Sequence, residues 1–211
     1  MLVSIGEWVR KVRTNMEELM PENMSAEVDT FGIDTDDYIR AKLPDAIIRI
    51  FITAPAYLLK GMECRGQLVP ERRQDGSGTV TFPENVLRVL SFKMKGWKRP
   101  VTRFIDSRHA KSELQYNRYT RGGVNKPVAV LSANADGNTV LDYYSLPSFV
   151  RNHEVESAIY VPVPEIVDGG YDVPVRLVDA VGYVCASMVY EILGQPDMSA
   201  QMTGRILLPE L

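Results

Sequence analysis

The chain has 211 residues, a formal net charge of −3, an apolar fraction of 45% and a charged fraction of 24%. This length suits one domain or one domain with a sizeable insertion, and the composition is that of a globular chain and not of a disordered one. The weak negative charge argues against a nucleic-acid binder driven by overall electrostatics, although it leaves room for a local basic patch.

Cys64 and Cys185 are the only cysteines, and no second pair completes a metal site. We expect two buried free thiols in a reducing compartment, with a disulfide as the alternative. Residues 1–13 lack the apolar core of a secretory signal, and no run approaches the roughly 20 apolar residues of a membrane span. The sequence therefore predicts use in a cytosol-like setting, without a membrane partner.

The first predicted helix covers residues 4–20. Ser4 and Glu7 have the spacing of a capping box, and apolar residues follow at helical spacing. Residues 21–34 are polar and contain proline and glycine, so we expect a linker there.

The second predicted helix covers residues 36–60 and carries a wide apolar stripe. Asp34 or Thr35 is the expected N-cap. Pro44 removes a backbone donor, so we expect either a kink or two short helices meeting at an angle. Pro55 predicts that the helix ends or bends after Thr53. A stripe of this length needs a partner, and the apolar helical run at 174–194 is the best candidate.

Residues 61–171 have the character of short strands separated by tight turns, which favours an antiparallel sheet or small barrel. The predicted strands are 67–71, 78–82, 86–94, 101–105, 128–131, 140–144 and 158–163. Residues 134–138 have the composition of a hairpin turn, and residues 109–119 suit a short helical turn. Residues 120–126 read as a flexible basic loop.

The return helix at 174–194 begins near a proline and stops at Gly194 and Pro196. A last short helix is expected from Ser199 to about residue 207, followed by an apolar end. The predicted fold class is thus α+β, a helical bundle core interrupted by a large antiparallel β-rich insertion, with a C-terminal arm. The predicted parts are N-terminal helices (1–60), the insertion (61–172), the return helix (173–194) and the arm (195–211).

The sequence offers no catalytic constellation, cofactor motif or metal-ligand spacing, so we expect neither an enzyme nor a bound cofactor or metal. His109 and His153 lack ligand spacing, and we interpret them as surface or structural residues. The cluster of Asp34, Asp36 and Asp37 is interpreted as helix capping, with a cation site as the alternative.

Residues 97–126 concentrate basic and aromatic side chains. Three interpretations stay open: a protein interface, a nucleic-acid surface and a solvated sheet face. The candidate interface residues are Trp97, Arg99, Arg103, Tyr116, Arg118, Tyr119 and Arg121.

The order of these elements resembles the head-to-tail adaptor proteins of tailed phages. The resemblance covers residues 36–211 and is carried by DYIRAKLPDAIIRIF at 37–51, by FPENVLRVLSFKMKGWKRPV at 82–101, and by the return helix with its apolar tail. These adaptors are the neck ring, or head-completion connector, proteins of short-tailed phages, and crAss-like phages carry similar ones.

The resemblance implies a structural virion protein of the neck, assembled in the host cytoplasm as a homo-oligomeric ring, a dodecamer in that family. It implies binding to the portal and to other neck or tail proteins, with DNA only passing through the lumen. Residues 195–211 would be the portal-binding arm. The candidate arm residues are Met198, Met202, Ile206, Leu207 and Leu208. The alternative function is a nucleic-acid-binding module that uses residues 97–126.

Overall fold

The computed structural model describes residues 1–17, 34–147 and 149–208, and it contains both helices and sheets, which confirms the α+β class. The described helices are α1 (Ile5–Glu17), α2 (Thr35–Thr53), α3 (Ala110–Leu114), α4 (Val178–Ile192) and α5 (Pro196–Gly204). The described strands are β1 (Leu2–Ser4), β2 (Met62–Glu63), β3 (Glu71–Arg72), β4 (Gly78–Thr81), β5 (Val86–Met94), β6 (Ile105–Asp106), β7 (Ala129–Ala133), β8 (Thr139–Tyr143), β9 (Val155–Pro162) and β10 (Gly170–Asp172).

The chain divides into two compact units. We call Met1–Lys60 with Val163–Leu211 the helical unit, and Gly61–Pro162 the β unit. The β unit is thus inserted into the sequence of the helical unit. It ends before the expected position, residue 172, and β10 pairs with β1 inside the helical unit.

Helix α4 packs against α1, α2 and α5 in the helical unit. The apolar stripe expected on the second helix is the buried face of α2. Its buried residues are Ile39, Leu43, Ala46, Ile47, Ile50 and Phe51. Complete burial of a large aliphatic side chain stabilises a fold by about 1.5–3 kcal/mol, so this face accounts for much of the stability of the unit.

Pro44 lies inside α2, which continues from Thr35 to Thr53 as one helix. The expectation of two short helices is therefore wrong. A proline inside a helix costs about 3 kcal/mol. Buried side chains before and after it in the sequence, Leu43 and Ile47 among them, offset that cost. They share one buried face only if the helix continues through Pro44. The expected end after Thr53 is confirmed.

Helix α1 begins with the capping box expected from the sequence. The Ser4 backbone N–H donates to Glu7 Oε2 over 2.9 Å, and the Glu7 N–H donates to Ser4 Oγ over 3.3 Å. The remainder of the first predicted helix and the linker up to residue 33 lie outside the described residues. Strands β1 and β10, which the sequence analysis did not predict, form an antiparallel pair.

The β unit contains two sheets. The first has the strand order β2-β9-β5, and the second has the order β3-β4-β8-β7-β6. All pairs in the two sheets are antiparallel except β6 with β7, which is parallel, so the expectation of a purely antiparallel region is wrong at this pair. A parallel pair needs a crossover between its strands. Here the crossover is the segment after Asp106 that contains α3.

Several strand predictions are confirmed, and two are wrong. Strand β5 has the predicted limits, and β7 and β8 form the predicted hairpin, with Gly137 in its turn at φ +84°. In contrast, residues 65–67 form a 3₁₀ turn, so the strand predicted at 67–71 is reduced to Glu71–Arg72. Residues 101–105 contribute only a bridge from Val101 to Phe92 and the start of β6.

The apolar core of the β unit lies around Phe92, whose ring meets Trp97 edge-on at 5.9 Å and Phe82 at 6.3 Å. Cys64 belongs to this core, and Cys185 is buried in the helical unit; both are free thiols, as expected. Across the described part of the chain, no helix combines the length and apolar character needed to cross a bilayer.

Candidate functional site

The residues expected to form a portal-binding arm belong partly to a folded helix. Met202 is fully buried and Met198 is half-buried in α5, which packs against α4. Beyond α5, Leu207 is 85% exposed, while Ile206 and Leu208 are half-buried. Residues 209–211 lie outside the described residues. The exposed apolar surface at this end is therefore concentrated at Leu207.

Helix α5 is joined to α4 by a cluster of hydroxyl groups. Ser187 Oγ lies 2.9 Å from Ser199 Oγ and 3.0 Å from Thr203 Oγ1. Thr203 also donates to the Ser199 carbonyl over 3.0 Å. Because Ser187 and Ser199 are buried, these bonds satisfy groups that are costly to leave unpaired. They hold the start of the C-terminal segment in place.

A surface groove of about 890 Å³ lies beside this segment in the helical unit. Its lining includes Arg10, Arg176 and Leu207, together with the ion pair between Lys11 Nζ and Asp179 Oδ1 at 2.5 Å. The groove therefore combines an exposed leucine with cations and with the carboxylates of Glu7 and Asp179. Such a surface suits a partner segment of mixed polar and apolar character.

Beside this groove, α1 and α4 approach each other closely at Gly182. A Cβ added at Gly182 would lie 3.0 Å from Asn15 Nδ2 and 3.4 Å from Lys11 Cε. Asn15 is buried, and its Nδ2 has no hydrogen-bond partner among the described residues. Gly182 is thus the small residue that allows α1 to approach.

The candidate interface residues of the β unit do not share one environment. Trp97 is 3% exposed and belongs to the core, so it does not present its ring to a partner. Arg99, Arg103 and Arg118 are exposed. Tyr116 and Tyr119 are 73% and 94% exposed, which makes them the aromatic residues of this group that a partner can reach.

Arg121 is held by Asp75. Its Nη1 lies 3.0 Å from Asp75 Oδ2, its Nη2 donates to the Asp75 carbonyl over 2.6 Å, and its side chain is only 9% exposed. Burial acts to raise the pKa of Asp75, but hydrogen bonds from Ser77 and the charge of Arg121 lower it overall. Asp75 therefore stays ionised and fixes Arg121 in place.

Three turns meet at this ion pair and form two adjacent depressions of about 590 Å³ and 390 Å³, which share Gln74, Asp75 and Tyr116. We call them together the Tyr116 groove. The Tyr116 ring stands edge-on to Tyr144 at 6.4 Å, and the Gly122 N–H donates to Gln115 Oε1 over 3.0 Å. These contacts make the groove a preformed surface.

The wall of the Tyr116 groove formed by residues 145–147 was not found from the sequence. The Leu146 N–H donates to the Gly76 carbonyl over 3.1 Å, which joins the two turns. Ser145 has a φ of +77°, which is uncommon for a residue other than glycine, and its buried Oγ has no partner among the described residues. The sequence signal for this contact is the Asp-Gly-Ser-Gly run at 75–78, which is one of the tight turns that separate the predicted strands.

His153 lies in a buried pair with Tyr143. The Tyr143 hydroxyl and His153 Nδ1 are 2.7 Å apart, and the rings are edge-on at 5.5 Å. Burial, together with the charge of Arg72, lowers the pKa of His153, and burial raises the pKa of Tyr143 to about 12. The histidine is thus held neutral in the core.

The aspartate cluster at the start of α2 is organised by arginines. Asp34 is the N-cap and accepts from the Asp36 N–H over 3.3 Å. Arg13 contacts both Asp34 and Asp36, and Arg40 pairs with Asp37 at 2.9 Å. These contacts support the capping interpretation. In the residues that the structure describes, no group of three or more histidine, cysteine or acidic side chains is arranged to hold a metal ion.

Comparison of the sequence with protein-family models gives no match, and comparison with curated proteins gives no significantly similar relative.

Proposed function

We propose that the chain is a structural head-to-tail adaptor of a tailed-phage virion. In this proposal it assembles as a ring between the portal and the tail, and DNA passes through the centre. The helical unit is the bundle scaffold of each subunit, and the β unit supplies contacts to neighbouring subunits or tail proteins. The protein is a structural component of the virion and not an enzyme.

The observation that carries the proposal is the end of the helical unit. Helix α5 is fixed on α4 by buried hydroxyl contacts and by Met202, and Leu207, a short distance beyond its end at Gly204, is 85% exposed. An apolar side chain on a segment with a fixed starting point is what docking onto a partner requires, because little ordering remains to be done on binding. The element order of the chain, with a β unit inserted between helices, agrees with the resemblance.

Docking through this segment is best tested with a variant that keeps α5 folded. Removing residues 195–211 would delete α5 and the buried Met202, so a loss of binding would reflect unfolding. A better variant is Leu207→Asp, which alters only an exposed side chain. The matched control is Val175→Asp, which changes a 66% exposed apolar residue of the same unit.

Binding to a dodecameric portal should weaken at least roughly tenfold in Leu207→Asp and stay unchanged in Val175→Asp. Surface plasmon resonance with immobilised portal measures both. Equal binding of Leu207→Asp and the wild-type chain would rule out docking through this segment.

A nucleic-acid-binding module is the second candidate function, and the exposure of Tyr119 and Tyr116 on either side of Arg118 favours it. Aromatic faces stack on bases, and arginines contact phosphates. This function predicts that oligothymidylate binds with a steep salt dependence and that Tyr119→Ala weakens binding. A fluorescence-anisotropy titration at low salt that detects no binding would reject it.

A further inference from the structure

The turn at residues 165–168 of the helical unit presents apolar and acidic side chains together. Ile166 and Val167 are 57% and 52% exposed, and Glu165 and Asp168 beside them are exposed too. We call this segment the acidic turn. Large apolar side chains on an exposed turn are typical of a contact surface, and the two carboxylates specify a basic partner.

The acidic turn is held in one conformation. Val167 and Gly170 exchange backbone hydrogen bonds of 2.9 and 3.0 Å, and the Gly169 carbonyl accepts from the Ile5 N–H at the start of α1 over 3.1 Å. Asp168 has a φ of +49°, a conformation that aspartate tolerates better than most residues and that marks a constrained turn. A constrained turn loses little conformational entropy when it binds.

The Tyr116 groove has the complementary character. The larger depression is lined by the exposed Tyr116 and the half-buried Pro147, which offer apolar contacts, and by Arg118 and Arg121 against the single carboxylate of Asp75. Its volume of about 590 Å³ is enough for a few side chains. Because Asp75 already engages Arg121, the exposed Arg118 is the cation best placed to meet an incoming carboxylate.

We propose that the acidic turn of one copy docks in the Tyr116 groove of a second copy. Ile166 and Val167 lie against Tyr116 and Pro147, and Glu165 pairs with Arg118. The contact uses two different surfaces, so it is heterologous, and such contacts generate rings when the rotation between copies closes. This inference rests on the proposed function only in assigning the contact to a ring; the self-association itself is independent of the portal.

A charge-reversal experiment on the full chain tests the contact. The variants are Arg118→Glu, Glu165→Arg and the double variant, and all three change exposed side chains, so the fold should be retained, which circular dichroism checks. The control is Arg99→Glu, which reverses an exposed arginine that does not line the groove. Sedimentation velocity over a concentration series gives the self-association constant.

Each single reversal should weaken self-association by roughly tenfold or more, and the double variant should restore it, while Arg99→Glu leaves it unchanged. A wild-type chain that stays monomeric at its highest soluble concentration would overturn the proposal, even if the portal binds it. The proposal is also wrong if the double variant is no better than the singles, or if Arg118→Glu spares self-association and instead abolishes oligothymidylate binding. Loss of portal binding in Leu207→Asp alone would leave this contact intact.

Discussion

The Tyr190 hydroxyl donates a hydrogen bond of 2.8 Å to the Met16 carbonyl, joining α4 to α1. Tyr190 is fully buried, and burial raises the pKa of its hydroxyl, so the hydroxyl is protonated and donates at neutral pH. The bond thus secures α1 against α4.

Replacing Tyr190 by phenylalanine removes the hydroxyl group that donates to the Met16 carbonyl. We expect Tyr190→Phe to lower the free energy of unfolding by about 0.5–1.5 kcal/mol, the usual net contribution of one hydrogen bond. Urea denaturation followed by circular dichroism measures the change. Tyr183→Phe on the same helix, at a half-buried position, is the control and should change stability less. Equal stability of Tyr190→Phe and the wild-type chain would show that the bond contributes nothing.

Alanine substitutions at Gly76 and Gly137 separate the effect of backbone strain from that of steric overlap. Both have a φ of +84°, so alanine at either position costs about 1–2 kcal/mol for its left-handed backbone. At Gly76 the added Cβ would also lie 2.0 Å from the Leu146 carbonyl oxygen, whereas nothing lies within 4 Å at Gly137. Gly76→Ala should therefore destabilise the protein clearly more than Gly137→Ala in thermal unfolding. Similar losses in the two variants would mean that residues 145–147 are not held against this turn.

We expect the buried His153 to make the free energy of unfolding depend on pH. Burial and the nearby Arg72 hold the pKa of His153 below its ordinary value of 6.5, so the folded protein binds fewer protons there than the unfolded chain. The stability contributed by the neutral imidazole is complete above pH 6.5 and is lost as the pH falls towards the lowered pKa. Denaturant unfolding measured between pH 7.5 and 5, roughly the range over which histidine titrates, should show this loss of stability in the wild-type chain.

In His153→Gln the part of the pH dependence due to the imidazole should disappear, because the new side chain does not titrate. Parallel pH profiles for the variant and the wild-type chain would contradict the assignment. Tyr143 is the other titratable group in contact with His153, and its pKa is raised to about 12, so it stays neutral across this range.

Both cysteines should be inert in the folded protein. Burial raises the pKa of Cys64 to about 11 and that of Cys185 to about 12. Only the thiolate reacts readily, so at pH 8 a thiol with a pKa of 11 has roughly a thousandth of its molecules in reactive form. Ellman's reagent should detect almost no thiol in the native chain and two equivalents in urea. Rapid reaction of either thiol without denaturant would contradict its burial.

The sequence predicted those elements whose signal is local. Strand β5 is rich in valine and leucine and lies between the turn residues Pro83 and Gly96, and α2 repeats apolar residues at helical spacing. The Ser4–Glu7 capping box lies within one turn of helix. In each case the residues that determine the structure are neighbours in the sequence.

Elements defined by distant partners could not be predicted in this way. Strands β1 and β10 are three residues each and exist because they pair with each other across most of the chain. The effect of Pro44 on α2 depended on the burial of neighbouring side chains against other helices. Trp97 and Tyr119 are both aromatic, yet Trp97 is a core residue and Tyr119 is exposed. The Tyr116 groove likewise needs three turns that only the tertiary fold brings together.

The insertion of the β unit into the helical unit also constrains the order of events during translation. Helix α2 leaves the ribosome long before α4, the helix against which it packs, because all of the β unit is synthesised between them. The β unit is continuous in sequence and can fold as soon as it emerges. Until α4 appears, the apolar face of α2 lacks a main packing partner, so a nascent chain stalled after Pro162 should recruit chaperones more strongly than one released at full length.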